Sequence, residues 1–519
     1  MQEKRETKTQ RVERIKEEKD GLDVLEDIHR YAKTGQTVDP EDIDRFKWYG
    51  LYSQNTYLQA KHDKTLYFML RIKLEKGEMN AEQVQTLGEI AERYANNTAD
   101  FTTRQDLQFH WIQVKDLPAV FERLEAVGLS SQLAAGDCPR NVVSCPVSGV
   151  DHDEIADVRH LVDAVNDLFR ANRDFSNLPR KFKIGISGCS KHCSCHEIQD
   201  LSFCATQQEN GEVVYDVHVG GGLGKNKRIA THIGYVHEDK VVPVSKAITK
   251  IFRDHGNRTN RSKARIGHLI ELWGVEEFVR VLHNELGFEL DQLQIQNFVN
   301  YSERCHFGVH ASKVSGESYI GCAVLGGRIG AEGLLATAAL MREYGVQTLK
   351  ATTTQNIVLL DVPSERTDGL VDALEKAGVS AYPSAFKART LSCTGLNFCK
   401  FAVSETKDLA QEIVTYLETA LPDFAEPVSI SVTGCANACA HPYIVDIGLV
   451  GTMVRRGKER IKGFELICGG KLAGDKSHYS TSSGIKVTPD EAPKVIEELL
   501  VEYQQSNFES FESFILERA

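Results

Sequence analysis

The sequence predicts an α+β chain that is internally duplicated and pseudo-two-fold, and two observations carry that prediction. Landmarks recur in the same order in both halves. Thr102-Thr103-Arg104-Gln105 returns as Thr352-Thr353-Thr354-Gln355, 250 residues on. Ile186-Ser187-Gly188-Cys189-x3-Cys193 returns as Val432-Thr433-Gly434-Cys435-x3-Cys439, 246 residues on, and Ile198 and Asp200 match Ile444 and Asp446 at the same spacing. Only two copies exist, so the repeat is a duplicated globular fold and not a solenoid. The second observation is that strand-like periods of two alternate with helix-like periods of 3.6.

Residues 1 to about 20 alternate acids and bases and read as a solvated helix or a loose arm. Phe68, Leu70, Ile72 and Leu74 share one side of a strand, with Met69, Arg71 and Lys73 on the open side. A helix follows from Asn80, with Val84, Leu87, Ala91 and Tyr94 on one face. Leu107, Phe109 and Trp111 alternate with Gln108 and His110 in a second strand. Ile155, Val158, Leu161, Val162, Val165, Leu168 and Phe169 predict a long amphipathic helix. Lys181 and Lys183 fall on one face of a strand, opposite Phe182, Ile184 and Ile186. In the second half, Leu409, Ile413, Val414 and Leu417 predict a helix, and Val428, Ile430 and Val432 a strand. The chain is expected to cross between halves near residues 290–305.

Composition bounds the function. With 519 residues, 61 Lys+Arg against 73 Asp+Glu and a net charge of −12, the chain has room for several cores and is not a basic nucleic-acid binder. No apolar run approaches the length of a membrane span, and the charged start lacks a secretory apolar stretch, so the expected location is cytoplasmic. Thirteen cysteines, an odd number, point to a metal centre rather than disulfides. Cys393-x5-Cys399 and Cys435-x3-Cys439 supply four thiolates, the complement of a 4Fe–4S cluster. Zinc pairs are usually closer than x5. Cys138-x6-Cys145 and Cys189-x3-Cys193, with Cys195 close behind, imitate them in the first half. They read as a degenerate copy without a second cluster.

Cys393-Thr-Gly-Leu-Asn-Phe-Cys399 and the following Glu405-Thr406-Lys407 resemble the first cluster motif of assimilatory ferredoxin-dependent nitrite and sulfite reductases. Thr433-Gly-Cys435-Ala-Asn437-Ala-Cys439, with Asp446-Ile-Gly448, resembles the second. Thr102-Thr-Arg-Gln, Pro139-Arg140-Asn141 and Leu178-Pro-Arg-Lys-Phe-Lys183 extend the resemblance across roughly residues 45 to 500. The resemblance implies paired ferredoxin-like half-domains plus two sirohaem/Fe–S α/β domains. The implied boundaries are a charged N-terminal arm 1–44, half-domain 45–125, a sirohaem and substrate-side domain 126–290, half-domain 300–378, and a cluster and sirohaem-ligating domain 379–519.

The resemblance also implies chemistry. Cys393, Cys399, Cys435 and Cys439 would hold the 4Fe–4S cluster, and Cys439 would also be the axial ligand of a sirohaem iron. Arg71, Arg140, Lys181 and Lys183 would surround the anion, offset its charge and relay protons. Thr103, Arg104, Gln105, Gln108, Asn141, Gln355, Asn356 and Asn437 would hold the cofactor, Arg104 most strongly as a bidentate partner of carboxylates. His110 lies on the Gln108 face and reads equally as a cofactor contact or a structural histidine. Gly220-Gly221-Gly222 fits no phosphate motif and is expected to approach the haem. With no dinucleotide fingerprint, electrons would come from ferredoxin or a similar one-electron donor. Docking candidates are Lys246–Arg265, with seven cations and one acid, and Arg455–Lys462.

The implied reaction is six-electron reduction of a small oxyanion. Lys183 leans to sulfite, because nitrite-reducing members carry Asn there and an added cation favours the more charged anion. The wording of the first cluster motif leans to nitrite. A protein with a structural cluster and no haem is the alternative of a different class, and the cation-rich motifs speak against it.

Overall fold

The computed structural model describes residues 6–191, 193–295, 306–474 and 476–518. The expected crossing between halves falls largely on 296–305, outside the described residues.

Among the described residues, four sheets carry the molecule. The first sheet runs Leu51–Ser53, Tyr67–Ile72, Leu107–Gln113, Thr98–Phe101 and then Arg328–Gly330, a strand lent by the second half. The second runs Gly308–Ala311, Glu317–Cys322, Ile357–Pro363, Thr348–Ala351 and then Glu78–Met79, lent by the first half. Each half thus closes an edge of the other, which removes two unpaired edges at once. Helices Ala81–Tyr94 and Ala331–Tyr344 pack on each other across the pseudo-axis. They approach closely at Gly88, where a Cβ would lie 2.9 Å from Leu335. One apolar core joins these two half-domains, including Leu70, Leu87 and Phe109 from one and Ile320, Leu349 and Leu359 from the other.

Local chemistry accounts for the elements. The expected helix at Asn80 begins with a capping box, in which Asn80 Oδ1 accepts from Gln83 N at 2.9 Å and Gln83 Oε1 accepts from Asn80 N at 2.9 Å. Phe68, Leu70 and Ile72 are fully buried, as their alternation requires. Trp111 departs from its pattern. It takes φ +64° opposite a register shift between Phe68 and Leu70, and Asp361 repeats that bulge at φ +57° in the second half.

The other two sheets are mixed. Ile184–Ser187 pairs parallel with Leu201–Gln207, which continues antiparallel through Val213–Val219 and Thr231–Val236. Thr390–Ser392, Ile430–Thr433 and Ile447–Arg456 pair parallel and continue antiparallel through Glu459–Cys468 and Thr481–Val487. Each has its own core.

Three expectations need correction. The helix expected from Ile155 begins at Arg159, because Ile155 N and Ala156 N both donate to Gly188 O. The strand expected at Lys181 begins at Ile184, although Phe182 still bridges to Pro139 and the two lysines keep a common side. The N-terminal segment is the helix of the two readings and not the loose arm, and it is solvated on one side only, with Glu17 and Glu18 exposed. Its helix Lys8–Glu18 buries Val12 and Ile15, and Lys16 Nζ reaches Glu13 at 2.7 Å, Asp137 at 3.4 Å and Leu178 O at 3.0 Å. Val24, Ile28 and Tyr31 then enter the core of the half-domains.

Candidate active site

Two parallel strands deliver the four cysteines expected to hold a cluster. Thr390–Ser392 leads into Cys393, and the turn Gly395–Phe398 leads to Cys399. The neighbouring strand Ile430–Thr433 leads to Cys435 and Cys439. Cys393 N donates to Val432 O at 3.1 Å and Gly434 N to Cys393 Sγ at 3.2 Å, so the two loops are stitched together. Thr103 Oγ1, from the first half, holds Cys439 O at 3.2 Å. Burial pushes the Cys399 thiol up to about 12, and the charges of Cys439, Cys393 and Cys435 add to that rise, which places all four in one neighbourhood. No three of these sulfurs lie within 4.8 Å of one another. One ion is too small to reach them all, and a bulky cluster fits.

Cations gather beside Cys439. Lys183 is pushed down to about 7 by burial and by the charges of Arg104 and Arg265. Lys181 is lowered well below the usual lysine range by burial, Lys183, Arg180 and Arg265. The charge of Cys439 acts on both lysines in the opposite sense. Arg140 donates to Gly136 O at 2.6 Å, Ala134 O at 3.1 Å and Tyr52 Oη at 3.5 Å. Arg71 Nη2 donates to Gln108 Oε1 at 3.4 Å, and Gln108 Nε2 to Thr394 Oγ1 at 2.9 Å, next to Cys393.

Comparison with known proteins decides what this arrangement belongs to. Residues 135–290 and 385–510 match the profile described as "Nitrite and sulphite reductase 4Fe-4S domain". Residues 59–127 and 311–377 match "Nitrite/Sulfite reductase ferredoxin-like half domain". The chain belongs to the nitrite and sulfite reductase family. A sulfite reductase (ferredoxin) of Mycobacterium tuberculosis is 34% identical over 530 residues, covering 97% of this chain and 94% of that one. A ferredoxin–nitrite reductase of Synechococcus elongatus is 35% identical over 506 residues, covering 95% and 96%. The solved structure of the M. tuberculosis NirA protein superposes with a TM-score of 0.92 at 33% identity, covering 98% and 96%.

The reductase chain suits a sirohaem and a cluster on its own observations. Arg71 Nε, Arg104 Nε and Arg140 Nε are buried without a hydrogen-bond partner, which a polyanionic group would satisfy. Asn437 and Cys439 are exposed, and Thr103 of the first half holds Cys439 O, so this thiol is open to a bound group.

Most of the residues expected to grip the cofactor also brace the protein. Arg104 donates to Gln199 Oε1 at 2.9 Å, to Ile184 O at 2.9 Å and to Asn141 O. Gln105 Nε2 holds Ala351 O at 2.8 Å and Gln355 Nε2 holds Phe101 O at 3.1 Å, a reciprocal pair across the pseudo-axis. Asn141 Nδ2 ties Leu74 O at 2.6 Å to Asp106 at 3.0 Å, and Asn356 Oδ1 accepts from Val324 N at 3.0 Å. His110 is structural. It is fully buried, bonds Asp100 at 2.9 Å and stacks on Phe398 at 4.0 Å.

Two further expectations meet the structure. At Gly221 the glycine run approaches protein backbone, since a Cβ there would lie 2.5 Å from Glu197 O and 2.6 Å from Gln199 O, while at Gly222 only the Arg265 guanidinium would come within 4 Å. Gly221→Ala is therefore expected to cost about 1–3 kcal/mol, read as a lowered midpoint in thermal unfolding. The Lys246–Arg265 run is no free basic patch, because five of its seven cations are in ion pairs. Arg258 and Arg261 clamp Glu13 of the N-terminal helix, and Arg265 grips Asp200 through two bonds of 2.8 and 2.6 Å.

Sequence reasoning missed three residues at this site. Arg265 lies in the cation cluster; its run reads as a docking face or as a loop whose cations reach the sirohaem, with nothing to single this residue out. Tyr52 is held below the usual tyrosine range, burial being outweighed by the Arg140 and Arg71 charges. His441 is pushed down to about 3 by burial and the Lys183 and Arg104 charges, so it is neutral. Only His441, two residues beyond Cys439, carried any signal in the sequence.

Proposed function

We propose that this chain is a ferredoxin-dependent reductase that takes sulfite to sulfide at a sirohaem coupled to a 4Fe–4S cluster. The observation that carries it is the cation cluster of Arg71, Arg140, Lys181 and Lys183, placed beside four cysteines spaced for a cluster. When bound, the sirohaem supplies the anion-binding iron and the cluster supplies electrons one at a time.

The protein's part is charge, position and protons. Arg71 lies 5.9 Å from the centre of the Tyr52 ring and Arg140 Nη2 3.5 Å from its hydroxyl, and both offset the charge of the oxyanion. Lys183, with its proton poised near neutrality, and Lys181 deliver protons to the departing oxygens. Thr103 and Gln108 tie the first half to the cluster loops, so the anion side and the electron side keep register. Arg104 and Asn437 flank Cys439 as cofactor contacts.

The donor docks at the cluster edge. Lys400, next to Cys399, donates to Ser53 Oγ at 2.9 Å, and Lys462 lies 4.5 Å over the Tyr57 ring. Tyr57 and Phe401 are exposed there, an apolar centre with a cationic rim that suits an acidic one-electron carrier.

Nitrite to ammonia is the second reading, favoured by the S. elongatus relative and by the first cluster motif. Steady-state turnover with a chemically reduced one-electron donor separates the two readings. Higher kcat/KM for sulfite is the expected result, and higher kcat/KM for nitrite overturns the preference. A preparation with full cluster iron and no extractable haem overturns the sirohaem. The pH profile tests Lys183. Nitrite keeps one charge from pH 6 to 9, so its kcat/KM is expected to fall as pH rises through about 7 and Lys183 changes from cation to neutral amine. Lys183→Asn should flatten that limb.

A further inference from the structure

The first half holds a second set of sulfurs that the proposed reaction does not use. Cys145, Cys189 and Cys193 have their three Sγ atoms within 4.8 Å of one another, and among the described residues they form the one such group able to hold a metal ion. All three are buried, at 1%, 1% and 0% exposure. His306, also buried, lays its Nε2 3.6 Å from Cys145 Sγ and 3.4 Å from Cys193 Sγ. Cys189 Sγ and Cys193 Sγ are 3.9 Å apart.

Three of the six ligand–ligand separations, 3.9, 3.6 and 3.4 Å, match the edges of a small tetrahedron; His306 Nε2 stands outside the tight group of three sulfurs and would have to close on Cys189 when an ion binds. Zinc–sulfur bonds of about 2.3 Å and zinc–nitrogen bonds of about 2.0–2.1 Å put tetrahedral S···S edges near 3.8 Å and S···N edges near 3.6 Å. The cluster cysteines of the second half are splayed wider. A set of soft sulfurs with one imidazole, closed on itself, selects a tetrahedral divalent ion of the zinc type.

The duplication explains how such a site arises. Ser144 N is held by Gln105 Oε1 as Ser392 N is held by Gln355 Oε1, so Cys145 stands where Cys393 stands. Cys189 and Cys193 stand where Cys435 and Cys439 stand. Thr353 Oγ1 holds Cys193 O at 2.7 Å as Thr103 Oγ1 holds Cys439 O. The residue six beyond Cys145 is Asp151, where the second half has Cys399. His306 enters from another segment as the fourth donor.

The surroundings complete the argument. Val147, Val150, Tyr319, Val358 and Leu360 pack around the sulfurs and keep bulk water out. A pocket lined by Asp151, Lys191, His306 and Tyr319 opens beside the site and gives an ion a route in.

We propose that Cys145, Cys189, Cys193 and His306 form a structural site for one zinc-type divalent cation. Binding releases the three thiol protons and leaves the centre with one net negative charge, which lies near the Lys191 ammonium. The ion pins the Cys145 and Cys189–Cys193 loops to the second half-domain, to which His306 belongs.

The test is metal content and coordination in the tag-free holoenzyme, purified from zinc-containing medium over a chelating resin. The expected result is about one zinc per chain in addition to the iron, with zinc-edge X-ray absorption showing sulfur at about 2.3 Å and nitrogen at about 2.0–2.1 Å. Cys193→Ser and, should that chain fail to fold, His306→Ala are expected to lose the zinc and keep the iron and the haem absorbance. Zinc well below one per chain, zinc bound by oxygen alone, or zinc unchanged in both variants overturns the proposal. Extra iron and sulfide that vanish in Cys193→Ser also overturn it, in favour of a second cluster.

Discussion

Cys439→Ala is expected to abolish turnover, by at least about a thousandfold, or roughly 4 kcal/mol of barrier. Cys439 is the exposed member of the four, set between Asn437 and the lysines of the other half. In the proposed site its sulfur would be one ligand of the cluster and would also serve the haem, so its removal would weaken the hold on both. Iron analysis and the visible spectrum check the result. Both the iron content and the haem absorbance should fall, while far-UV circular dichroism stays, because the cores of the half-domains do not include this loop. Full retention of both chromophores in Cys439→Ala would refute the shared-ligand role. Cys399→Ala gives the contrast, since the charge of Cys439, and not that of Cys399, is among those acting on Lys181 and Lys183. It should lose cluster iron in the same way.

Lys183→Asn is expected to change which anion is preferred. The lysine lies in a pocket of like charges, and near pH 7 part of it is still protonated while part of the sulfite is already the doubly charged anion. A unit charge at about 4 Å from an anion is worth up to about 4 kcal/mol at an effective dielectric of 20. Half of that, about 2 kcal/mol, is the expected loss for sulfite, or about thirtyfold in kcat/KM. Nitrite carries the smaller charge and should lose less. The ratio of kcat/KM for sulfite to that for nitrite is the measurement, and an unchanged ratio removes Lys183 as the selector. The duplicated half supplies a built-in comparison. Lys183 N donates to Asp200 at 2.7 Å just as Ser429 N donates to Asp446 at 2.7 Å, so the two positions are equivalent and only the first carries a cation.

The cluster pairs were legible because a thiolate cage needs fixed residue types at fixed short spacings. The shared side of Lys181 and Lys183 was legible from their two-residue spacing, and the structure brings both beside Cys439; their role toward an anion came from the family resemblance. Arg265 was not legible. It sits among six other cations in a run that reads as a basic surface, and only its bonds to Asp200 place it inside. His110 shows the opposite limit. Its position beside Gln108 suggested a cofactor contact, and the buried Asp100 with Arg328 at 2.9 Å claims it for the frame. The N-terminal helix gave the same lesson, because its alternating charges read as solvated while Glu13 and Lys16 are locked to Arg258 and Asp137.

The sequence by itself determined the duplication, the two close cysteine pairs of the second half, the half-buried strands and the absence of a basic character. These are periodic or short-range features, set by helix and strand geometry and by ligand spacing. Only the tertiary structure decided that each half-domain lends a strand to the other, that Lys246–Arg265 is spent on ion pairs, and that His306 lies against Cys145 and Cys193. Those outcomes join residues up to hundreds apart, and their energies come from burial and pairing that exist only after the chain has folded.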